Sequence, residues 1–256
     1  MTFLVFDIGH STIKLGRFKG DKLIAFEVYN DLEECSEIID DNGITGAAIS
    51  SVEQSESEKL ARFLRDTYNI NPFLVTPENK YNLQIVYQTP LLLGIDRICA
   101  AEGAFYLFRK KYEKEFLDRK NYIIVVDFGT TTTLSLIKYP NIFKGCTITP
   151  GIGLMFKTIK SFQPSKVNIT AENYVGYIGK NLKESVAAGI MNTHLGMIEK
   201  VVNILKKKKG AEKIFIYVTG GNSEKILKYL NFDYKFERGL VHYGIKSIFD
   251  LNTAKE

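Results

Sequence analysis

The 256-residue chain has no apolar run approaching the roughly 18–20 residues that cross a bilayer as one helix. That excludes a helical membrane protein. The first residues, MTFLVFDIG, lack a basic region followed by a long apolar stretch and read as a first β-strand rather than a signal peptide, so a cytoplasmic protein is expected. Cysteine is scarce: Cys35, Cys99 and Cys146 lie far apart with no CxxC, which argues against a disulfide framework or a zinc site and for three reduced thiols. The three histidines, His10, His194 and His242, show no metal-ligand spacing. A strong charge bias is also missing. The net charge is +5, and four of the positive charges form the run Lys206–Lys209 at the end of a helical pattern, where they complement the helix dipole. That run has no interleaved aromatics, so no nucleic-acid partner is expected. Low-complexity sequence is absent. With 45% hydrophobic and 25% charged residues, the chain is ordinary for a globular protein and has enough apolar residues for one large domain or two small ones.

What the sequence does contain is a repeat of itself. Phe3–Phe18 reads FLVFDIGHSTIKLGRF and Ile124–Lys138 reads IVVDFGTTTTLSLIK. Each is an apolar strand, then Asp-x-Gly, then small hydroxyl residues, then a second alternating strand. Asp7 and Asp127 stand 120 positions apart, near half the chain. Duplicated strand–DxG–turn–strand units imply two similar domains, 1–118 and 119–256, whose paired turns would clamp phosphates across a cleft. This is the layout of a nucleotide-dependent phosphotransferase. The coarse pattern agrees. Strands are expected over Thr2–Asp7, Thr12–Phe18, Leu23–Tyr29, Ile44–Ser50 and Pro72–Thr76. Helices are expected over Asp31–Asp41 with Asp31 as N-cap, over Ser55–Tyr68 and from Ile95, and the charged stretch Arg109–Lys120 closes the first half. The pattern restarts with strands at Tyr122–Asp127, Thr133–Lys138 and Cys146–Thr149. A short helix follows over Gly151–Phe162, an irregular segment over Gln163–Gly179 and a long helix over Asn181–Lys208. Lys213–Val218 is a strand, followed by Thr219-Gly220-Gly221-Asn222, a helix to Leu230 and a helical tail over Gly239–Leu251. Strands and helices alternating twice make an α/β chain with mixed sheets.

Four motifs carry chemistry. In Asp7-Ile8-Gly9-His10-Ser11-Thr12 the carboxylate emerges at a strand end and Gly9 permits a tight turn. Its backbone N–H groups and the Ser11 and Thr12 hydroxyls can cradle a phosphate, beside a carboxylate suited to Mg²⁺. Lys14 adds positive charge. A plain β-hairpin is the competing reading. Asp127-Phe128-Gly129-Thr130-Thr131-Thr132-Thr133 is the second copy, although threonine is also a common strand residue. Asp96 in Gly94-Ile95-Asp96-Arg97 opens a helix and is either a cap or dipole partner or a base that takes a proton from a hydroxyl. In the second case Arg97 would grip an anion with its planar fork. Gly220-Gly221, between a strand and a helix, allows a flat ligand close to the backbone.

Taken in order, DxGH-ST-K, Tyr87-x-x-Pro90-x-x-x-Gly94-x-Asp96-Arg97, DxGTTTT, Gly145-Cys146-x-Ile148-x-Pro150-Gly151 and Thr219-Gly220-Gly221 resemble the type III pantothenate kinases over nearly the whole chain. The resemblance implies two ribonuclease-H-like, actin-like ATPase domains with mixed sheets and a nucleotide cleft between them. It implies a homodimer with pantothenate near the subunit interface. The implied reaction is ATP-dependent phosphorylation of pantothenate, the first committed step to coenzyme A, with Mg²⁺ and a monovalent cation, K⁺ or NH₄⁺. Carried over by position, Asp7 resembles the Mg²⁺ and phosphate aspartate, with Gly9, His10, Ser11, Thr12 and Lys14 around it. Asp127 resembles the acidic residue near the monovalent cation, and Gly129, Thr130, Thr131 and Thr132 the second phosphate loop. Asp96 resembles the general base. Tyr87, Gly94, Ile95, Arg97 and the position of Leu182 resemble the pantothenate site, and Gly220 and Gly221 the adenosine loop.

This chain departs from the family pattern at four positions. His10 replaces the asparagine of DxGN, Thr131 an alanine and Ser135 an aspartate in DxGTAxTxD, and Leu182 a threonine that reaches the neighbouring subunit's substrate. Two other readings remain open on sequence alone. One is a different small-molecule kinase of the same superfamily, which shares the DxG loops but not GIDR or GCxIxPG. The other is a non-catalytic relative of the Bvg accessory factor kind, acting in transcription.

Overall fold

The computed structural model describes residues 1–37, 43–112, 115, 121–162, 167–209 and 211–254. The chain forms two compact units. The first comprises Met1–Leu117, Pro140–Lys144 and Gly239–Glu256, and the second Asp118–Tyr139 and Gly145–Arg238. In chain order the elements are β1 (Thr2–Ile8), β2 (Ile13–Lys19), β3 (Lys22–Tyr29), α1 (Leu32–Glu37), β4 (Ile44–Ser51), α2 (Gln54–Tyr68), β5 (Phe73–Leu74), β6 (Gln84–Ile85) and α3 (Ile95–Tyr112). They continue with β7 (Asn121–Phe128), β8 (Thr131–Lys138), β9 (Ile142–Pro150), α4 (Ile152–Ser161), α5 (Leu182–Lys209), β10 (Lys213–Thr219), β11 (Lys235–Phe236) and α6 (Leu240–Thr253).

The sheet of the first unit runs β3-β2-β1-β4-β5. β1 pairs antiparallel with β2 and parallel with β4. In the second unit β11-β10-β7-β8-β9 repeats this order: β7 pairs antiparallel with β8 and parallel with β10. The duplicated sequence is thus a duplicated topology, with each DxG strand at the centre of its sheet.

Strand periodicity decides which face each side chain covers. Leu4, Phe6 and Ile8 point with Ile13 and Leu15 onto Leu60, Ala61 and Leu64 of α2. On the opposite face Phe3 meets Phe249 at 4.4 Å between ring centroids, and Phe18 meets Tyr243 edge-on at 5.4 Å. The C-terminal helix α6 therefore closes the first unit. In the second unit Ile124, Val126 and Phe128 of β7 pack with Met191, Leu195 and Ile198 of α5. No helix among the described residues is long and apolar enough to cross a membrane.

The Asp31 cap is present: the Glu34 N–H donates to Asp31 Oδ1 at 2.9 Å. The last residues expected in α1, 38–41, lie outside the described residues, as do 113, 114 and 116–120 of the charged stretch and 163–166 of the irregular segment. One expected element differs. After Thr219-Gly220-Gly221-Asn222 there is no α-helix but two 3₁₀ turns, Ser223–Lys225 and Leu227–Tyr229. The Ser223 hydroxyl donates back to Thr219 O at 2.6 Å and to Gly220 O at 2.7 Å, and such local bonds compete with the helical ladder.

α3 and α6 cross where each has a glycine. A Cβ on Gly103 would strike the carbonyl oxygen of Leu240, and one on Gly244 the carbonyl oxygen of Cys99. The obstacle is backbone and cannot rotate away, so overpacking here costs about 1–3 kcal/mol or more. Gly244→Ala is expected to lower the urea midpoint accordingly. Wild-type stability in that variant would show that the helices do not meet at this crossing.

Candidate active site

In each unit the DxG motif sits where its strand ends. The Gly9 N–H donates to Thr12 O at 3.0 Å, and the Gly129 N–H to Thr131 O at 3.0 Å. The carbonyl before each glycine is held by the loop that follows the parallel neighbour strand. The Val52 N–H donates to Ile8 O at 3.1 Å and the Asn222 N–H to Phe128 O at 2.8 Å. Both turns are thus braced at equivalent atoms.

In the first unit Asp7 is only 5% exposed, opposite Lys14 on β2 and Ser50 on β4. The Lys14 ammonium donates to Asp7 Oδ2 at 3.1 Å. Ser11 is exposed and Thr12 partly so. His10 is exposed, with Nδ1 3.3 Å from Glu53 Oε1 at the entrance to α2.

Gly94-Ile95-Asp96-Arg97 belongs to the same unit. The Arg97 N–H donates to Gly94 O at 3.1 Å, starting α3. Asp96 stands in the first helical turn with 42% of its side chain exposed and Oδ1 3.9 Å from Arg97 Nε. A Cβ on Gly94 would lie 2.5 Å from Asp96 Oδ1 and 2.7 Å from Arg97 Nη2, so the bare glycine makes room for both charged groups. Ile95 is buried and Tyr87 half-buried. Burial pushes the Cys99 thiol well above its ordinary range, against the Ser50 hydrogen bond, and the Asp7, Asp96 and Glu102 carboxylates add to the rise. The motif aspartates Asp7 and Asp96 therefore bear on one buried thiol.

In the second unit three motifs converge on one loop. Gly151 comes from the GxxIxPG element. Its N–H donates to Thr130 O at 2.9 Å, and a Cβ there would collide with the Gly129 and Thr130 carbonyls. Asn222 Nδ2 donates to Gly129 O at 3.0 Å. Gly220 has φ +100°, the region glycine favours, and a Cβ on it would strike Asp127 Oδ1 and the Phe128 backbone. Thr130 and Thr131 are exposed, as is Gly221. Thr132 is fully buried, its hydroxyl without a hydrogen-bond partner. Leu182, also in this unit, is exposed at the start of α5.

Sequence reasoning did not single out Asn222 as a brace, nor the two buried histidines. His194 is fully buried with its ring edge toward Phe128 at 6.4 Å, and burial pushes it down to about 4. His242 is also fully buried and pushed down to about 4, chiefly by burial. The only available signal was negative: neither histidine shows metal-ligand spacing.

Two sheets, each with a braced DxG turn on a strand flanked by one antiparallel and one parallel neighbour, define an actin/hexokinase/Hsp70-like fold. Solved structures agree at the level of the fold. The activator of 2-hydroxyisocaproyl-CoA dehydratase from Clostridium difficile, with bound ADPNP, aligns with a TM-score of 0.52 and 11% identity, over 100% of this chain and 99% of that one. The ethanolamine utilization protein EutJ from Carboxydothermus hydrogenoformans aligns with a TM-score of 0.52 and 14% identity, over 97% and 90% of the two chains. The type III pantothenate kinase family model matches residues 3–204, and the chain belongs to that family. A type III pantothenate kinase from Sulfurihydrogenibium sp. is 26% identical over 260 residues, covering 94% of this chain and 97% of that protein.

The buried histidines make stability depend on pH. Their folded-state values, about 4, lie below the ordinary 6.5, so between those limits the unfolded chain binds protons that the folded chain does not. Stability is therefore full above about pH 6.5 and falls as pH drops, by up to about 1.4 kcal/mol per pH unit per histidine. Urea unfolding between pH 6.5 and 5 is expected to show this slope, reduced in His194→Leu. A flat profile would contradict the burial of both rings.

Proposed function

We propose that the chain transfers the terminal phosphoryl group of ATP to the primary hydroxyl of pantothenate, giving 4′-phosphopantothenate, the first step of coenzyme A biosynthesis. Family membership supports this reading. The single structural observation that carries it is the Gly94–Arg97 turn: a solvent-accessible carboxylate and a guanidinium share the space that a missing Cβ leaves, in the same unit as Asp7.

The residues divide the work. Asp96 accepts the hydroxyl proton as general base. Arg97 holds the pantothenate carboxylate with its planar fork, beside Tyr87 and the Gly94–Ile95 backbone. Ser11 and Thr12 receive phosphate oxygens through N–H and O–H groups beside Gly9, whose own N–H closes the turn, and Thr130 and Thr131 do so beside Gly129 in the second loop. Thr132, whose hydroxyl is buried, shapes that loop from below. Lys14 moves its charge from Asp7 toward the phosphates. Gly220 and Gly221 leave the backbone bare for the adenosine. Phosphoryl transfer rests mainly on positioning and charge neutralisation, which such dipoles and cations supply.

The carboxylates fit the expected cations. Asp7 already carries an ammonium as a stand-in cation, and a single carboxylate completed by phosphate oxygens and water is a usual Mg²⁺ site. Asp127, at the equivalent strand position of the second unit beside Thr133 and Thr219, supplies the carboxylate for K⁺ or NH₄⁺. When bound, the cations neutralise charge on the phosphoryl oxygens. We place the activity in the cytoplasm.

We also propose a homodimer, as the family resemblance implies. Phe162, Tyr177, Ile178 and Leu182 of the second unit are large apolar residues that are each more than half exposed. Tyr177, Ile178 and Leu182 lie close together in sequence, and an apolar patch built from them is the kind of surface that marks an interaction site.

Two measurements test these readings. ADP release with ATP, Mg²⁺, K⁺ and pantothenate is expected to depend on pantothenate and to fall about 10²–10⁴-fold in Asp96→Asn. A fully active Asn variant would remove the base assignment. In sedimentation, Tyr177→Glu with Leu182→Glu is expected to convert dimer to monomer. A wild-type monomer, or an unaltered dimer in the variant, would contradict the interface.

A further inference from the structure

Behind the first loop lies a residue that the reaction above does not use. His242 sits on α6, beyond the residues 3–204 matched by the family model. Its imidazole is fully buried against β2. Nε2 lies 3.1 Å from Lys14 O, and since a carbonyl can only accept, Nε2 carries the proton. The other face of the contact is shaped for the ring. A Cβ on Gly16 would lie 2.7 Å from His242 Cδ2, so glycine is what lets the imidazole reach the strand. Phe26 closes the remaining side edge-on at 5.0 Å. Nδ1 has no hydrogen-bond partner. One donor, aimed at one carbonyl, is the only polar contact this ring makes among the described residues, and it is made to the residue whose ammonium holds Asp7.

We propose that His242 is a positioning residue for phosphoryl transfer: its Nε2–H fixes the Lys14 backbone in β2, and thereby sets the reach of the Lys14 ammonium between Asp7 and the nucleotide. The inference rests on the reading of Asp7 and Lys14 as the phosphate-side pair. A neutral imidazole suits this task. It gives a rigid, flat donor through the interior without placing a second positive charge behind a cation-binding carboxylate. The same contact links α6 to β2, so α6 takes part in the reaction without touching the substrate.

The test compares His242→Phe, which keeps a ring but loses the donor, with His242→Gln, which returns a donor near the Nε2 position. For folded His242→Phe, kcat is expected to fall about tenfold, equivalent to about 1.36 kcal/mol on the barrier, with the pantothenate KM unchanged. His242→Gln is expected to recover to within about threefold of wild type on the same reasoning. A folded His242→Phe with wild-type kcat overturns the inference. Asp7→Asn separates the two levels. If it abolishes activity while His242→Phe does not, only the His242 role falls. If Asp7→Asn is fully active, the loop reading falls and this inference with it. If His242→Phe does not fold, the wild-type protein decides. The His242 Nε2–H resonance of ¹⁵N-labelled enzyme is expected to shift when a non-hydrolysable ATP analogue binds with Mg²⁺, and an unmoved resonance overturns the proposal.

Discussion

The structure depends on how one carbonyl is held in each unit. A strand that ends in Asp-x-Gly leaves the x residue's C=O at the sheet edge, where it needs a donor. Val52 supplies it for Ile8 and Asn222 for Phe128, each from the loop after the parallel neighbour strand. That bond stops the turn from collapsing onto its own strand. With the carbonyl braced and the glycine N–H closing the turn, the following hydroxyls stay at the edge, and the aspartate is held at the penultimate strand position. The chemistry proposed for Asp7 and Asp127 needs this fixity, because oriented dipoles cost no reorganisation when charge develops.

The two units surround that motif differently. In the first, the aspartate holds an ammonium, and the backbone of that lysine accepts from an imidazole on the C-terminal helix. In the second, the loop is packed by backbone: Gly151 and Gly220 approach so closely that no side chain fits, and Asn222 caps the Gly129 carbonyl. One half is arranged by charge and the other by close approach. The roles proposed for the two loops follow this division.

Much of this was legible in the sequence. The repeat around Asp7 and Asp127 announced the duplicated sheets, because a DxG turn between alternating strands leaves few other arrangements. The Asp31 cap and the start of α3 at Ile95 followed from local rules. The helix after Asn222 did not appear, since Ser223 turns its hydroxyl back onto Thr219 and Gly220, a choice that periodicity does not register. Thr132 read as a loop hydroxyl beside Thr130 and Thr131, yet it lies within β8 and is fully buried. The packing of α6 in the first unit was hidden for a different reason: amphipathic spacing says that a helix has an apolar face, not which sheet receives it. His242 was invisible with it, because only the fold brings residue 242 to residue 14.

The central claim is that the DxG loops of both units serve ATP. Backbone hydrogen exchange measures this most directly. Adding a non-hydrolysable ATP analogue with Mg²⁺ should slow exchange at Gly9–Thr12 and at Gly129–Thr131 together, over the same concentration range. Protection confined to one loop, or absent from both at saturating nucleotide, would contradict the account.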